Sequence, residues 1–413
     1  MRHALLANLR LRRKIAAMIR RFLQYYLCRD AGYYPVLTLT GPRQSGKTTL
    51  ARASFPDYEY VTLEATEPRF FARDDPNGFL QRYSGPVIID EVQQVPDILS
   101  EIQASVDEDG TSGRFILTGA HNFLLMDRVS ETLAGRCGIL NLLPFSRAEL
   151  ERQEQPEPAG PQSLFRNRGS DLDLWETIRT GFYPRIHDQH VPPDVWLPDY
   201  IQTYLHRDVR SLANVGDLEV FERFLMLCAG RVGELLNYSS LANDCGISVD
   251  TARRWISVLK TSFIIFLIEP HQRNFDKRII KTPKMYFYDT GLACHLLRIR
   301  NGQQLLTNPQ RGAIFENYVV GEMVKAYHHL RRKPPLYFWR DRTGHEVDLI
   351  VEEGRRLYPV EIKSGQTATS DMLEGLSWWC GRADVPRSDA TLVYGGTEWQ
   401  ERHGVAVRPW FAV

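Results

Sequence analysis

Between about residues 33 and 150, short apolar runs alternate with stretches whose apolar residues recur at helical spacing. Val36–Thr40, Tyr60–Leu63, Val87–Asp90, Phe115–Thr118 and Gly138–Leu142 read as strands, nearly apolar throughout, as strands covered on both faces are. That rhythm predicts a parallel α/β sheet. A polar, Pro-rich stretch, Glu151–Gln162, interrupts it and reads as a loop. From Trp196 to about Cys228 the spacing turns helical, with Ile201, Tyr204, Leu205, Val209 and Leu212 on one face. Residues 216–290 read as a helical unit ending in two strands, Phe263–Ile268 and Lys284–Tyr288. Mixed α/β pattern returns after them. The chain therefore divides into a basic helical arm (1–30), an α/β core (31–150), a linker and helical extension (151–215), a helix-turn-helix unit (216–300) and a final α/β domain (301–413).

Composition changes the picture in one respect. With 43% apolar and 24% charged residues, the chain has the balance of a globular protein rather than a disordered one. Its net charge of +1 argues against a strongly basic nucleic-acid coat. That neutrality is a sum of unlike parts. Residues 1–29 hold eight basic side chains and no acidic one, which leaves 43 basic against 50 acidic groups in the remainder. The arm reads as an amphipathic helix packed on the next domain, or, being Arg-rich and free of acids, as an organelle transit peptide. The six cysteines form no paired spacing, the usage of a reduced, cytoplasmic protein, and no apolar run is long enough for a membrane span.

The sharpest chemistry follows the first strand. Gly41-Pro42-Arg43-Gln44-Ser45-Gly46-Lys47-Thr48 fits GxxxxGK[ST], between a strand and a helix-compatible run that starts at Thr49. Glycines let backbone N–H groups curl around phosphate oxygens, and the helix N-terminus adds partial positive charge. Lys47 would reach the β- and γ-phosphates of ATP and the Thr48 hydroxyl would ligate Mg²⁺. Val87–Asp90 then ends a buried strand in two acids: Asp90 for the Mg²⁺, Glu91 to polarise the attacking water. Thr118, ending another strand, reads as a γ-phosphate sensor or a turn residue, with Asn122 near enough to share that role. Arg136 is a candidate for stabilising γ-phosphate charge, within its own subunit or in a homo-oligomer from a neighbour.

These segments, GPRQSGKTTL, VIIDEVQQVPDIL, FILTGAHNFLLM and LAGRCGILNLLPFSRAEL, resemble the prokaryotic AAA-type ATPases that carry a C-terminal domain of unknown function. TGFYPRI (180–186) and YIQTYLHRDVRSLANVGD (200–217) resemble the family's next landmarks, with His206 where the family usually has an acid and Arg207 and Asp208 matching. The resemblance spans roughly Met18 to Trp379 and implies ATP binding and hydrolysis.

Tyr238–Ile256 has the organisation of a helix-turn-helix. Ser239 is placed to cap a short helix, Gly246 to end it and Ser248 to cap the next. Val249, Ala252, Ile256 and Leu259 give the second helix a buried stripe, and Thr251, Arg253 and Arg254 point away from it, toward where DNA would lie. The two strands that follow bracket a basic tip, His271–Lys281, in which Arg273, Lys277 and Arg278 suit phosphate contact. This is a winged-helix pattern, open between DNA contact and packing against a partner domain.

Asp348, Glu361 and Lys363 complete the candidates. Two strands joined by a turn at Glu353–Arg356, paired about position 354.5, place Asp348 opposite Glu361, with Lys363 on the face of Glu361. The other face collects Val347, Leu349 and Val351 with Tyr358, Val360 and Ile362. Facing acids repel and call for a cation, so Asp348 and Glu361 read as Mg²⁺ ligands, with Lys363 to orient or deprotonate water. The spacing resembles the PD-(D/E)xK nuclease superfamily, in which Glu316 matches the upstream helix acid; Val347 stands where that family has proline. Taken together, the chain reads as an ATPase coupled to a winged helix and a nuclease-like domain acting on nucleic acid, DNA above RNA. The alternative is an ATP-dependent switch or scaffold whose last domain binds DNA or protein without cutting.

Overall fold

The structure, a computed structural model, describes residues 19–119, 128–129, 131–154, 165, 169–205, 218–272 and 281–413. Asn122, the segment 206–217 and the tip residues Arg273, Lys277 and Arg278 lie outside the described residues, as does most of the Pro-rich loop. The chain forms two units. The first takes residues up to Glu154 with Tyr183–His190 and His328–Arg331; the second takes the rest.

In the first unit, helix α1 (Leu23–Asp30) precedes strand β1 (Val36–Thr40), helix α2 (Lys47–Ser54), strands β2 (Glu59–Thr62) and β3 (Val87–Asp90), helix α3 (Ile98–Asp109), and strands β4 (Phe115–Thr118) and β5 (Cys137–Asn141). A short helix, α4 (Arg147–Leu150), follows. The five strands are all parallel, in the order β2-β3-β4-β1-β5. Alternation divides their side chains between two cores. Val36, Val87, Ile89, Phe115 and Leu117 pack with Ile98 and Ile102 of α3. Leu37, Leu39, Ile88 and Ile116 pack on the other face with Leu23 and Leu27 of α1. Each such aliphatic side chain taken from water contributes about 2 kcal/mol, so α1, built from the end of the basic arm, is part of the core. Asp30 at its end is fully buried and is met by Arg29 at 2.7 Å and by Arg331 from far along the chain.

The second unit contains the two helices of the turn motif, α5 (Tyr238–Cys245) and α6 (Val249–Thr261), then β6 (Ile265–Pro270) and β7 (Lys284–Phe287). After these come the long helix α7 (Arg311–His329), whose last two residues belong to the first unit, the strands β8 (Leu336–Arg340), β9 (Glu346–Glu353) and β10 (Arg356–Lys363), helix α8 (Glu374–Ala383), and β11 (Thr391–Tyr394), β12 (Gln400–Arg402) and β13 (Val405–Pro409). These eight strands form one mixed sheet, β12-β13-β11-β10-β9-β8-β6-β7. The expected division at residue 300 thus runs through a single sheet: β6 pairs in parallel with β8, Glu269 beside Tyr337. Gly246 ends α5 at φ 69° and Ser248 caps α6 as expected, but Asn237 rather than Ser239 caps α5, accepting from Ser240 N at 3.0 Å.

The β9–β10 hairpin pairs Glu353 with Arg356 and continues to Leu349–Val360, the expected register. Its faces differ from expectation. Between the pairs Tyr337–Ile350 and Trp339–Val347, β8 advances two residues while β9 advances three. The extra residue reverses the alternation, so Val347 joins Ile350 and Leu357 in the core beneath Leu376 and Trp379 of α8 rather than siding with Leu349 and Val351. Asp348 sits in this irregularity.

Candidate nucleotide site and carboxylate cleft

The loop after β1 requires bare backbone. A Cβ on Gly41, whose φ is 141°, would stand 2.2 Å from the carbonyl oxygen of Leu142. Gly46 (φ 93°) is left-handed and directly precedes the first residue of α2, so that the helix's unpaired N–H groups open onto the loop. Lys47 is buried, and its Nζ donates to the carbonyls of Gly41 (3.1 Å) and Pro42 (2.7 Å). Ser45 Oγ also donates to Pro42 O, at 3.0 Å. Arg43 and Gln44 are half-buried, and Thr49 is exposed on the first turn of α2.

Strand order brings the remaining groups under this loop. Because β4 lies between β1 and β3, Thr118 at its end stands between the loop-bearing strand and Asp90. The Asp90 carboxylate is buried and accepts from three hydroxyls: Thr48 (2.9 and 3.1 Å), Tyr60 (2.9 Å) and Thr118. Burial, then the charge of Asp90, raises the Tyr60 phenol above its ordinary value, so it stays a donor. Glu91 leaves β3 in the left-handed region (φ 56°) and accepts from Gln93 Nε2. Arg136 is elsewhere. It precedes β5, at the sheet edge opposite the loop, and pairs in bidentate fashion with Asp107 of α3, Nη2–Oδ2 2.9 Å. A five-residue strand spans roughly 16 Å, so Arg136 does not reach the γ-phosphate position of its own subunit, a correction to that half of the expectation. A hard oxygen pair, Thr48 with Asp90, beside Lys47 and helical N–H groups fits Mg²⁺ and polyphosphate.

In the second unit, Asp348 Oδ2 accepts from Ile362 N at 2.8 Å, which places its carboxylate over β10. Lys363 Nζ lies 2.5 Å from Glu361 Oε1 and 3.6 Å from Asp348 Oδ2. Both acids are buried, and among the described residues Glu361 Oε2 finds no hydrogen-bond partner. Burial first, then the charge of Asp348, pushes the Glu361 carboxyl well above the usual range; burial and Asp348 raise Glu316 likewise. Glu316 is not set out as a third ligand. Its Oε1 accepts from Lys284 Nζ (2.9 Å) and Tyr286 OH (2.6 Å), and Lys284 also meets Glu346 at 2.5 Å. Among the described residues no three His, Cys, Asp or Glu side chains are grouped to hold a metal ion; Glu316 faces Lys284 and Tyr286, while Glu361 and Asp348 face Lys363. Asp348, Glu346, Glu316 and Lys284 line a cleft of about 560 Å³ together with Arg231 and Ser240. Arg253 and Arg254 of α6 are exposed, Thr251 is half-buried, and Arg253 lies 5.6 Å from the Tyr238 ring centre.

Three family models match in succession: an AAA domain over residues 33–151, a domain of unknown function (DUF8612) over 171–303 and a domain of unknown function (DUF4143) over 311–411. The uncharacterized protein Rv2008c of Mycobacterium tuberculosis is 32% identical over 387 residues, covering 93% of this chain and 80% of that protein. The chain belongs to this family of AAA-domain proteins. The uncharacterized protein Mb2031c of Mycobacterium bovis matches with the same identity and coverage. Among solved structures, the walker-type ATPase PABY2304 of Pyrococcus abyssi aligns with a TM-score of 0.39 at 16% identity, over 67% of this chain and 95% of that one.

In this family member the first domain is an AAA-type P-loop ATPase domain, and the domains of unknown function hold the mixed sheet. Among the described residues no helix is long and apolar enough to cross a membrane. Sequence reasoning missed Tyr60 and Lys284, each of which reads as an ordinary strand residue. A polar atom at a strand end beside an acid-bearing strand was the available signal for Tyr60; for Lys284 it was a lysine within an apolar strand.

Proposed function

We propose that the first unit binds and hydrolyses MgATP. The observation that carries this reading is the meeting of the Thr48 hydroxyl and the Asp90 carboxylate at 2.9 Å beneath the loop that holds Lys47. Lys47 and the loop N–H groups would bind the β- and γ-phosphates; Thr48 and Asp90 would hold Mg²⁺, which supplies charge neutralisation at the phosphates. Glu91 accepts a proton from water as its oxygen attacks the γ-phosphorus, and the bond to the β,γ-bridging oxygen breaks to leave ADP. Thr118, bonded to Asp90, keeps that carboxylate aligned. Lys47→Ala should abolish MgATP binding, measured by titration; wild-type affinity in that variant would sink the reading.

A second reading is favoured by one specific observation, the unpartnered buried oxygen of Glu361. Buried carboxylate oxygens are normally bonded, so Glu361 and Asp348 are suited to accept a divalent cation, with Lys363 aiding attack of water on a phosphodiester. The succession α7, β8, β9, β10, α8, β11 supports the nuclease-like pattern. Arg253 and Arg254, exposed on α6, suit phosphate contact. Incubating the protein with DNA and Mg²⁺ tests this: cleavage should vanish in Asp348→Asn and Glu361→Gln, and no cleavage by the wild type would favour a switch or scaffold.

A further inference from the structure

We propose that Arg21, outside the matched AAA domain, is a positioning residue that sets the phosphate-binding loop by holding the Ser45 carbonyl outward. This rests on the reading of the first unit as an ATP site. Arg21 belongs to the basic arm, yet only 5% of it is exposed. Its Nη1 donates to Ser45 O at 2.8 Å, Nη2 to Leu143 O at 2.6 Å and Nε to Glu149 Oε1 at 3.1 Å. Three acceptors on three segments fix the guanidinium plane, which also lies 4.6 Å from the centre of the Phe145 ring. The anion is fixed in turn. Glu149 is fully buried, accepts from Phe22 N (2.8 Å) and Ser146 N (3.0 Å), and closes a capping box at the start of α4. A buried pair with its remaining hydrogen bonds satisfied is a rigid anchor rather than a solvated contact.

The consequence follows from peptide planarity. In a trans peptide the C=O and the following N–H point in opposite directions. Pinning Ser45 O to Arg21 fixes the plane of the Ser45–Gly46 peptide and aims the Gly46 N–H to the other side, where loop amides would meet phosphate oxygens. Gly46, left-handed at φ 93°, has no side chain to restrain that plane. Lys47 and the Ser45 hydroxyl hold the carbonyls of Gly41 and Pro42 at the front of the loop. Arg21 supplies the corresponding hold at its rear, which gives the basic arm a task in nucleotide binding.

The test uses the full chain, with MgATP affinity measured by titration and thermal unfolding followed without nucleotide. Arg21→Ala is expected to weaken MgATP binding about tenfold, the scale of a lost charge-assisted hydrogen bond. Arg21→Lys keeps one donor for Ser45 O and should recover part of that loss. A merely structural arginine would lower the unfolding midpoint and leave the affinity of the folded protein unchanged. That result, or wild-type affinity in both variants, overturns the proposal. Should Arg21→Ala fail to fold, Arg21→Lys and Arg21→Gln are read by the same criterion. A wild-type chain that binds no MgATP would instead remove the ATP reading and this proposal with it.

Discussion

The Tyr60 hydroxyl donates to Asp90 Oδ2 at 2.9 Å, from the strand next to the one that carries the acid. Thr48 and Thr118 approach the same carboxylate from the loop helix and from β4. Three donors leave it little rotational freedom. Tyr60→Phe removes one donor without opening a cavity. It is expected to raise the Mg²⁺ concentration for half-maximal ATP hydrolysis by about tenfold, as loss of a ligand's supporting hydrogen bond commonly does. An unchanged Mg²⁺ dependence would show that Thr48 and Thr118 suffice.

Glu91→Gln is the complementary experiment. It preserves size and removes the proton acceptor, so MgATP binding should persist while turnover falls by about a hundredfold or more. Phosphate release at the wild-type rate would exclude Glu91 as the base.

Arg136→Ala should leave turnover unchanged when the protein is diluted to monomer, because Asp107 holds this arginine at the opposite sheet edge. A defect confined to high protein concentration would point to a neighbouring copy.

Gly41→Ala tests the loop directly. The added Cβ would meet Leu142 O at 2.2 Å in a backbone conformation that L-residues avoid. The expected loss is about 3 kcal/mol or more, from strain and overpacking together, read as a lower urea midpoint with reduced nucleotide binding.

The carboxylate pair predicts a pH dependence of stability. Burial and the charge of Asp348 raise the Glu361 carboxyl above its ordinary value of 4.5, and Glu316 is raised in the same way despite Lys284. Above the ordinary range the unfolded chain has released these protons while the folded protein retains them. Stability therefore falls as pH rises through that window, until the folded carboxyls ionise too. Asp348→Asn keeps an acceptor for Ile362 N and removes the repelling charge, so unfolding midpoints between pH 5 and 8 should flatten. A wild-type slope of the opposite sign would contradict the assignment.

The three central strands were legible residue for residue, because β1, β3 and β4 are buried throughout and leave short apolar runs whose ends coincide with motif residues such as Gly41 and Asp90. The partly exposed edge strands β2 and β5 each begin one residue earlier than expected. The hairpin register was legible too, since Glu353 and Arg356 flank an unambiguous turn. The bulge at Asp348 was not. It arises from pairing with β8, and nothing local to Val347 marks it. Nor did the sequence disclose that β6 and β7 extend the hairpin's sheet, since parallel pairing of Glu269 with Tyr337 depends on partners 68 residues apart. The cap of α5 moved from Ser239 to Asn237 because either residue type serves and only backbone conformation decides. Arg136 was legible but misassigned: a residue directly before a strand of a parallel sheet lies at the strands' N-terminal ends, opposite the loop that follows β1.

Arg331 reaches the buried carboxylate of Asp30 across 301 positions of chain. The nucleotide-binding unit therefore cannot be excised as a continuous fragment. A polypeptide ending at Glu154 would keep the motif residues Gly41 to Glu91 yet lack one cation of this pair and the neighbouring His328–Arg331 segment. During synthesis the same geometry delays closure: α1 leaves the ribosome early but obtains its second partner only when about four-fifths of the protein has been made.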